Sequence, residues 1–435
     1  MVDDSRWWAD VSWHTRGESM RFKNVLSLVS LISLVLVGFN VVQSQRVLAQ
    51  QPCPKTISTN LLSAPAGSTL SLERRQSLLN SVWETVSQNH VNAETNLEGW
   101  AQAQATFFPQ ALAATNDAGF YAALQAMVQN TGDGHSVFLP PWESQLRGGT
   151  ATQKTYGIGV FAVPNAEGLL VTHVLEGSYA AFVGLRRRDL IVQVAGKPCP
   201  TFKDLAGPAE EALRLTFRKP NGQQREVRVE RVGVGESPWF SLLRLEQQPK
   251  IVLLTLPAFN RVVNEVSYRL SQMLAEAPIE ALIIDLRANP GGSISEALKL
   301  AGQFTRGDLI ELRPRKERLA ATPGLLLPRL KDLPMVILVD AQTESFSESF
   351  AAGLQAQQRA QVIGVRTPGN TQTLDSFEFG DGSRLWLATQ ESYLPDGTRL
   401  GGRGVIPDVS LEPDWYRYDE QNDPYIRKAL ELLQR

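Results

Sequence analysis

Cysteine, histidine and methionine are scarce in this chain, at 2, 4 and 5 residues in 435. Two cysteines, Cys53 and Cys199, are too few for a four-ligand zinc site of their own. They suffice for one disulfide in an oxidising compartment, although sequence alone does not assign the pair. No Walker-type loop, dinucleotide glycine fingerprint or HExxH helix occurs, so no cofactor or metal is expected. A basic block is also missing. Lys and Arg (43) balance Asp and Glu (45) for a net charge of −2, which argues against a nucleic-acid partner. An apolar fraction of 43% reads as globular, and the length suggests roughly two to four domains.

The long apolar run lies at the N-terminus. Arg21 and Lys23 precede VLSLVSLISLVLVGFNVV, from Val25 to Val42, and Val47-Leu48-Ala49 resembles a signal-peptidase site. Residues 1–49 therefore read as a signal peptide, with an uncleaved membrane anchor as the alternative, because the run approaches the roughly 20 residues that span a bilayer. The polar segment before Met20 makes Met20 an alternative start. Export to a periplasm, lumen or the exterior is the expectation, with membrane association if the apolar segment is retained.

After a linker (50–70), residues 71–150 read as helical. Leu78, Leu79, Val82, Trp83 and Val86 fall at helical spacing, and FYAALQAMVQ repeats the pattern before NTGDGHSVFLPP breaks it. Residues 151–236 turn to short β runs: GIGVFAV, GLLVTHV, DLIVQVAG and REVRVERV. From 237 to 415 continuous apolar runs (IVLLTLPAF, ALIIDL, MVILVD, AQVIGV) alternate with helical patterns, as in an α/β core whose strands are buried on both faces. Residues 416–435 carry a terminal helix, DPYIRKALELLQR.

One stretch poses a chemical question. DAQTESFSESF (Asp340 to Phe350) joins a buried strand to a helix, and a serine there is placed to act as a nucleophile. A serine hydroxyl needs a partner to take its proton. Ser345-Phe-Ser-Glu348 is equally a capping box for the helix, a reading without catalysis. A second turn, Asn289-Pro290-Gly291-Gly292, also follows a buried strand. Its glycines either serve backbone angles or let N–H groups approach a developing oxyanion. Asp285 and Arg287 read as structural supports of that turn.

IIDLRANPGG (Ile283 to Gly292), ESFSESFAAGL (Glu344 to Leu354) and GRGVIPDV (Gly402 to Val409), in that order after DGHS, resemble the C-terminal processing (tail-specific) serine peptidases and their tricorn-like relatives. The likeness covers nearly everything after residue 70. It implies a crotonase/ClpP-like α/β core, with an N-terminal helical segment and an inserted β-rich module resembling a PDZ domain. In that module Gly157, Ile158, Gly159 and Val160 match the carboxylate-binding loop, so a protein or peptide substrate with a free C-terminus is the implied partner. The usual Gly before Asp189 is Arg188 here, and the segment expected to supply the groove helix, TFKDLAGPAEEALRL, contains Pro208. By the same resemblance Ser345 is the nucleophile, and Gly291 or Gly292 with Phe346 forms the oxyanion hole. The processing peptidases carry a lysine base at the position of Asn370 and a glutamine at that of Leu374, so that dyad is absent. The tricorn-like branch uses a histidine, matched by His135, and a glutamate, whose position is Gly401. Glu391 and Asp396 lie upstream of it. The implied function is an exported serine endopeptidase with Ser345 and His135; the alternative is an inactive relative that binds peptides.

Overall fold

Leu78, Leu79, Val82 and Val86 recur at helical spacing because they share one face, and in the computed structural model they line the buried side of the helix Leu72–Asn89. The Ser71 hydroxyl accepts from Arg74 N–H and caps it. The structure describes Cys53 and residues 70–91, 97–147, 156–175, 177–205, 212–233, 239–260, 262–314, 319–321 and 330–434. The expected leader (1–49) and most of the linker lie outside them. No helix among the described residues is long and apolar enough to cross a membrane. The helices Leu97–Leu112 and Asp117–Gln129 complete the layer. Trp83, expected in its core, is half-buried and stacks on Trp100, with ring centroids 4.5 Å apart.

This layer ends in a strand that the sequence pattern does not reveal. Val137–Leu139 pairs antiparallel with Arg384–Tyr393, placing Val137 opposite Trp386. The same sheet holds Thr373–Glu378, Ile310–Pro314 and Leu319–Ala321. Its pairing with Val137–Leu139 ties the DGHS segment to the hairpin formed by Thr373–Glu378 and Arg384–Tyr393.

Next come Val160–Asn165, Gly168–Val174, Leu190–Val194, Lys197–Pro198, Ala212–Arg218 and Gln224–Glu230, all in one antiparallel sheet. The segment expected to supply a groove helix departs from that expectation. Its helix is only Phe202–Leu205, residues 206–211 lie outside the described residues, and ALRLTFR is the strand Ala212–Arg218. Leu213, Leu215 and Phe217 are buried alternately, a period of two that fits a strand. Cys53 and Cys199 are joined by a disulfide, Cα atoms 5.3 Å apart, which ties residue 53 to this module.

The core sheet has the order Ser241–Leu245, Gln248–Thr255, Ala281–Asp285, Met335–Val339, Gln361–Gly364, Val409–Ser410. It is parallel except for its first edge. Leu282 and Ile284 pack against Val263–Glu276, Ile294–Ala301 and Phe346–Ala356, while Ala281 and Ile283 face Pro424–Leu433. Burial on both faces is why these strands read as unbroken apolar runs.

A buried ion cluster joins the β-rich module to the core. Arg187 pairs with Asp285 (2.9 Å) and Arg188 with Asp423 (2.7 Å), while Arg287 pairs with both, at 2.6 and 2.9 Å. All three guanidiniums lie within 5.6 Å of the Trp415 ring centroid.

Candidate active site

Ser345 sits where the strand Met335–Val339 gives way to the helix Phe346–Ala356, with φ 59° and ψ −131°. A non-glycine residue rarely holds that backbone, and such strain is concentrated at functional turns. Ser345 and Glu348 stand as the two ends of the expected capping box, yet the serine hydroxyl makes no capping hydrogen bond. The Glu348 carboxylate accepts from Ser345 N–H at 3.1 Å. Glu348 N–H, for its part, donates to the Ser345 carbonyl. The cap is thus built from backbone and Glu348, and the half-buried hydroxyl is left for other work.

The NPGG turn is bolted to this elbow. Asn289 accepts from Glu344 N–H through its carbonyl and donates through its side chain to the Leu256 carbonyl, 2.8 Å away. Asp340 Oδ1 accepts from Ala288 N–H, and the Thr343 hydroxyl donates to the Leu286 carbonyl. Gly291, at φ 97°, lies so close that a Cβ there would stand 2.6 Å from Ser345 Cβ and 3.1 Å from Phe346 N. Gly291 N–H already donates to Asn289 Oδ1 at 2.9 Å. Gly292 and Phe346 are different: among the described residues neither N–H has an acceptor. First-turn helix N–H groups are ready anion donors. Gly291→Ala is expected to push the two turns apart, lowering stability by about 1–3 kcal/mol and turnover by about 10²-fold; steady-state kinetics and urea denaturation check both.

The third signature holds the second. Gly402 N–H donates to the Gly369 carbonyl, Val405 N–H to Thr367 Oγ1, and Thr367 N–H to the Val405 carbonyl. Loop Thr367–Gln372 is thereby pressed on the elbow, where the Asn370 carbonyl accepts from Ser345 N–H at 2.9 Å. The residue at the lysine position thus contributes its backbone carbonyl to the Ser345 turn. Glu348 lies beneath, accepting from Thr367 Oγ1 (2.5 Å) and Gly369 N–H (2.6 Å). Burial pushes its carboxyl up to about 7, against hydrogen bonds from Thr367 and the Gly369, Ser345 and Asn370 amides that pull it down. A carboxyl whose pKa is higher folded than unfolded stabilises the fold fully below its unfolded pKa and loses that contribution as pH rises through its folded one. The urea-derived stability should therefore fall by about 3 kcal/mol between about pH 4 and 8. Glu348→Gln should flatten that slope.

His135 reaches the site on the loop before Val137–Leu139. Gly134 lies against Asn370, a Cβ there falling 3.7 Å from Asn370 Oδ1. Asp133 fixes the loop: it accepts from His135 N–H, Ser136 N–H and the Ser136 hydroxyl, each at 2.6 Å, and pairs with His90 Nε2 at 2.6 Å. His135 is half-buried, and its Nδ1 is buried without a hydrogen-bond partner. The His135 loop thus approaches Asn370, whose backbone carbonyl also holds the Ser345 elbow. Asp396 is exposed on a turn.

Gly157, Ile158, Gly159 and Val160 stand apart from this centre, on the β-rich module. The run GIGVFAV is divided there: Tyr156–Gly157 pairs with Val232–Gly233, and a new strand begins at Val160. Gly159, at φ 81°, packs on Ser178, the N-cap of the helix Tyr179–Phe182, so the loop faces that helix start.

A strained serine elbow, unpartnered amides and a histidine loop thus sit on an α/β core of crotonase/ClpP-like fold. Residues 250–411 match the sequence profile of peptidase family S41. A probable CtpA-like serine protease of Staphylococcus aureus is 28% identical over 308 residues, covering 68% of this chain and 60% of that protein. A probable CtpA-like serine protease of Staphylococcus epidermidis is 27% identical over 309 residues, 68% of this chain and 61% of that one. The chain thus spans about three-fifths of these relatives' length. In fold it resembles the photosystem II D1 C-terminal processing protease, with a TM-score of 0.57 and 23% identity over 78% of this chain and 94% of that one. It also resembles the tricorn protease, with a TM-score of 0.51 and 17% identity over 83% of this chain and 37% of that one.

Proposed function

We propose that this chain is a serine endopeptidase, exported and acting on protein substrates near their C-termini. The observation that carries the reading is the unused Ser345 hydroxyl on a strained elbow beside two unpartnered N–H groups. Ser345 Oγ attacks the scissile carbonyl carbon while His135 takes its proton. The oxyanion settles on the N–H groups of Gly292 and Phe346. Collapse breaks the C–N bond, His135 returns the proton to the leaving amine, and water then hydrolyses the acyl-enzyme by the reverse roles. The loop Gly157 to Val160 captures the substrate's terminal carboxylate by backbone N–H groups. The Cys53–Cys199 bond suits an oxidising compartment.

The test uses protein from Gln50 onward, a fluorophosphonate probe and C-terminally tagged unfolded substrates followed by mass spectrometry. Labelling at Ser345 together with cleavage that His135→Ala abolishes is the expected result. Peptide binding without labelling or cleavage would replace the reading with that of a non-catalytic peptide-binding relative.

A further inference from the structure

An imidazole that takes a serine proton on one nitrogen needs an acceptor for the N–H on the other, to fix its tautomer and hold the imidazolium. His135 Nδ1 is buried and has no such partner. The buried carboxylates nearby are largely committed. Asp133 is taken by His90, Ser136 and the loop amides, and Glu348 by Ser345, Thr367 and Gly369.

The same loop cluster holds unused acceptors, the amide oxygen of Gln372 and the hydroxyl of Thr373, of which the amide oxygen belongs to a residue held by a buried acid. Gln372 is 6% exposed, and its side-chain oxygen Oε1 is buried without a partner. Its Nε2 donates to Glu391 Oε2 at 3.2 Å. A carboxylate only accepts, so the amide nitrogen must face Glu391 and the orphan atom must be the oxygen. Gln372 lies two residues beyond Asn370, whose side chain lies beside the turn at Gly134. Among the described residues the buried partnerless side-chain atoms of this region thus include His135 Nδ1 and Gln372 Oε1, with the hydroxyls of Thr373 and Ser347 beside them, each costly to bury alone.

Glu391 is itself built in. It is 2% exposed and accepts from Thr371 Oγ1 (3.1 Å), Ser392 N–H (3.1 Å) and Arg399 (2.8 Å). Its carboxyl occupies the space beside Gly401, where a Cβ would fall 2.5 Å from Glu391 Cδ. The Gly401 backbone is not in the left-handed region, so glycine is needed there for room alone. An acid delivered by the strand Arg384–Tyr393 fills the place that a side chain from position 401 would enter.

We propose that Gln372 and Glu391 are a positioning pair for His135: Glu391 holds the Gln372 amide, whose oxygen accepts His135 Nδ1–H when substrate fills the site. This leaves Nε2 to take the Ser345 proton, and it rests on the reading of Ser345 and His135 as nucleophile and base.

The experiment compares the wild type from Gln50 onward with Gln372→Leu, Glu391→Gln, their double variant, and the exchange pair Glu391→Ala and Glu391→Ala/Gly401→Glu. Peptide kcat and KM are measured across pH, with fluorophosphonate labelling and urea midpoints alongside. Each single variant is expected to lose roughly 10²-fold in kcat at nearly constant KM, with the acid limb of the pH profile moved to lower pH. The double variant should be little worse than either single one, because the two act in series. Gly401→Glu should recover at least about tenfold of what Glu391→Ala loses. Wild-type kcat in both single variants, or a loss that tracks the urea midpoint with an unmoved acid limb, would overturn the pair while leaving the peptidase intact. Absence of labelling and turnover in the wild type would instead remove the peptidase reading itself.

Discussion

Ser345→Ala is expected to lower kcat by roughly 10⁶-fold while leaving stability almost unchanged. Both halves follow from the elbow. The hydroxyl is the proposed attacking group, so its loss removes the covalent route. That hydroxyl makes no capping bond, because the helix is capped by Glu348 and the Ser345 backbone. Loss of a serine that did cap would cost about 1 kcal/mol. Alanine can inherit the strained φ of 59° from serine at no great added cost, since both carry a Cβ. Steady-state proteolysis and urea denaturation on one preparation separate the outcomes. A fall in stability with unchanged turnover would return Ser345 to the role of a helix cap.

The second large effect is structural. Asp423→Ala should destabilise the fold by about 4 kcal/mol, the order found when one partner of a buried ion pair is removed. Asp423 is fully buried and serves two guanidiniums, those of Arg188 and Arg287. It also caps the last helix, accepting from Tyr425 N–H at 2.8 Å. Its removal leaves Arg287 with Asp285 alone and Arg188 with carbonyl acceptors only: Trp415, Tyr418 and Asp419. Urea denaturation followed by circular dichroism measures the loss. A midpoint within error of wild type would show that water or repacking satisfies both guanidiniums.

The parts of the molecule legible in sequence are those whose cause is local. The core strands announce themselves because each is buried on both faces, and the NPGG and SFSE turns because glycine and serine sit where strands become helices. His135 is legible only through the motif that contains it; the strand Val137–Leu139 that delivers it is three residues long, too short for a period. The hairpin from Thr373 to Tyr393 is missed although its turn, Asp381-Gly382-Ser383, and the alternation after it are visible signals. ALRL, the end of the segment expected to supply a groove helix, is misread because the module's pattern calls for a helix there, whereas its buried residues alternate within the strand Ala212–Arg218. Arg188 shows the limit most clearly. It adopts φ 79°, the conformation glycine usually supplies. Its side chain meanwhile pairs with a residue 235 positions away, a reason no local window contains.

The arginine cluster around Trp415 has an optical consequence. Two of its guanidiniums, those of Arg187 and Arg188, come from the β-rich module, while the indole N–H is fixed on Asp340 of the elbow strand's end at 2.8 Å. Nearby cations and a carboxylate shift the emission of an indole ring. Lifting the module from the core strips two of those charges from the ring, so Trp415 is a built-in fluorophore for its undocking. Against a Trp415→Phe blank, its difference spectrum would report the movement without any added label.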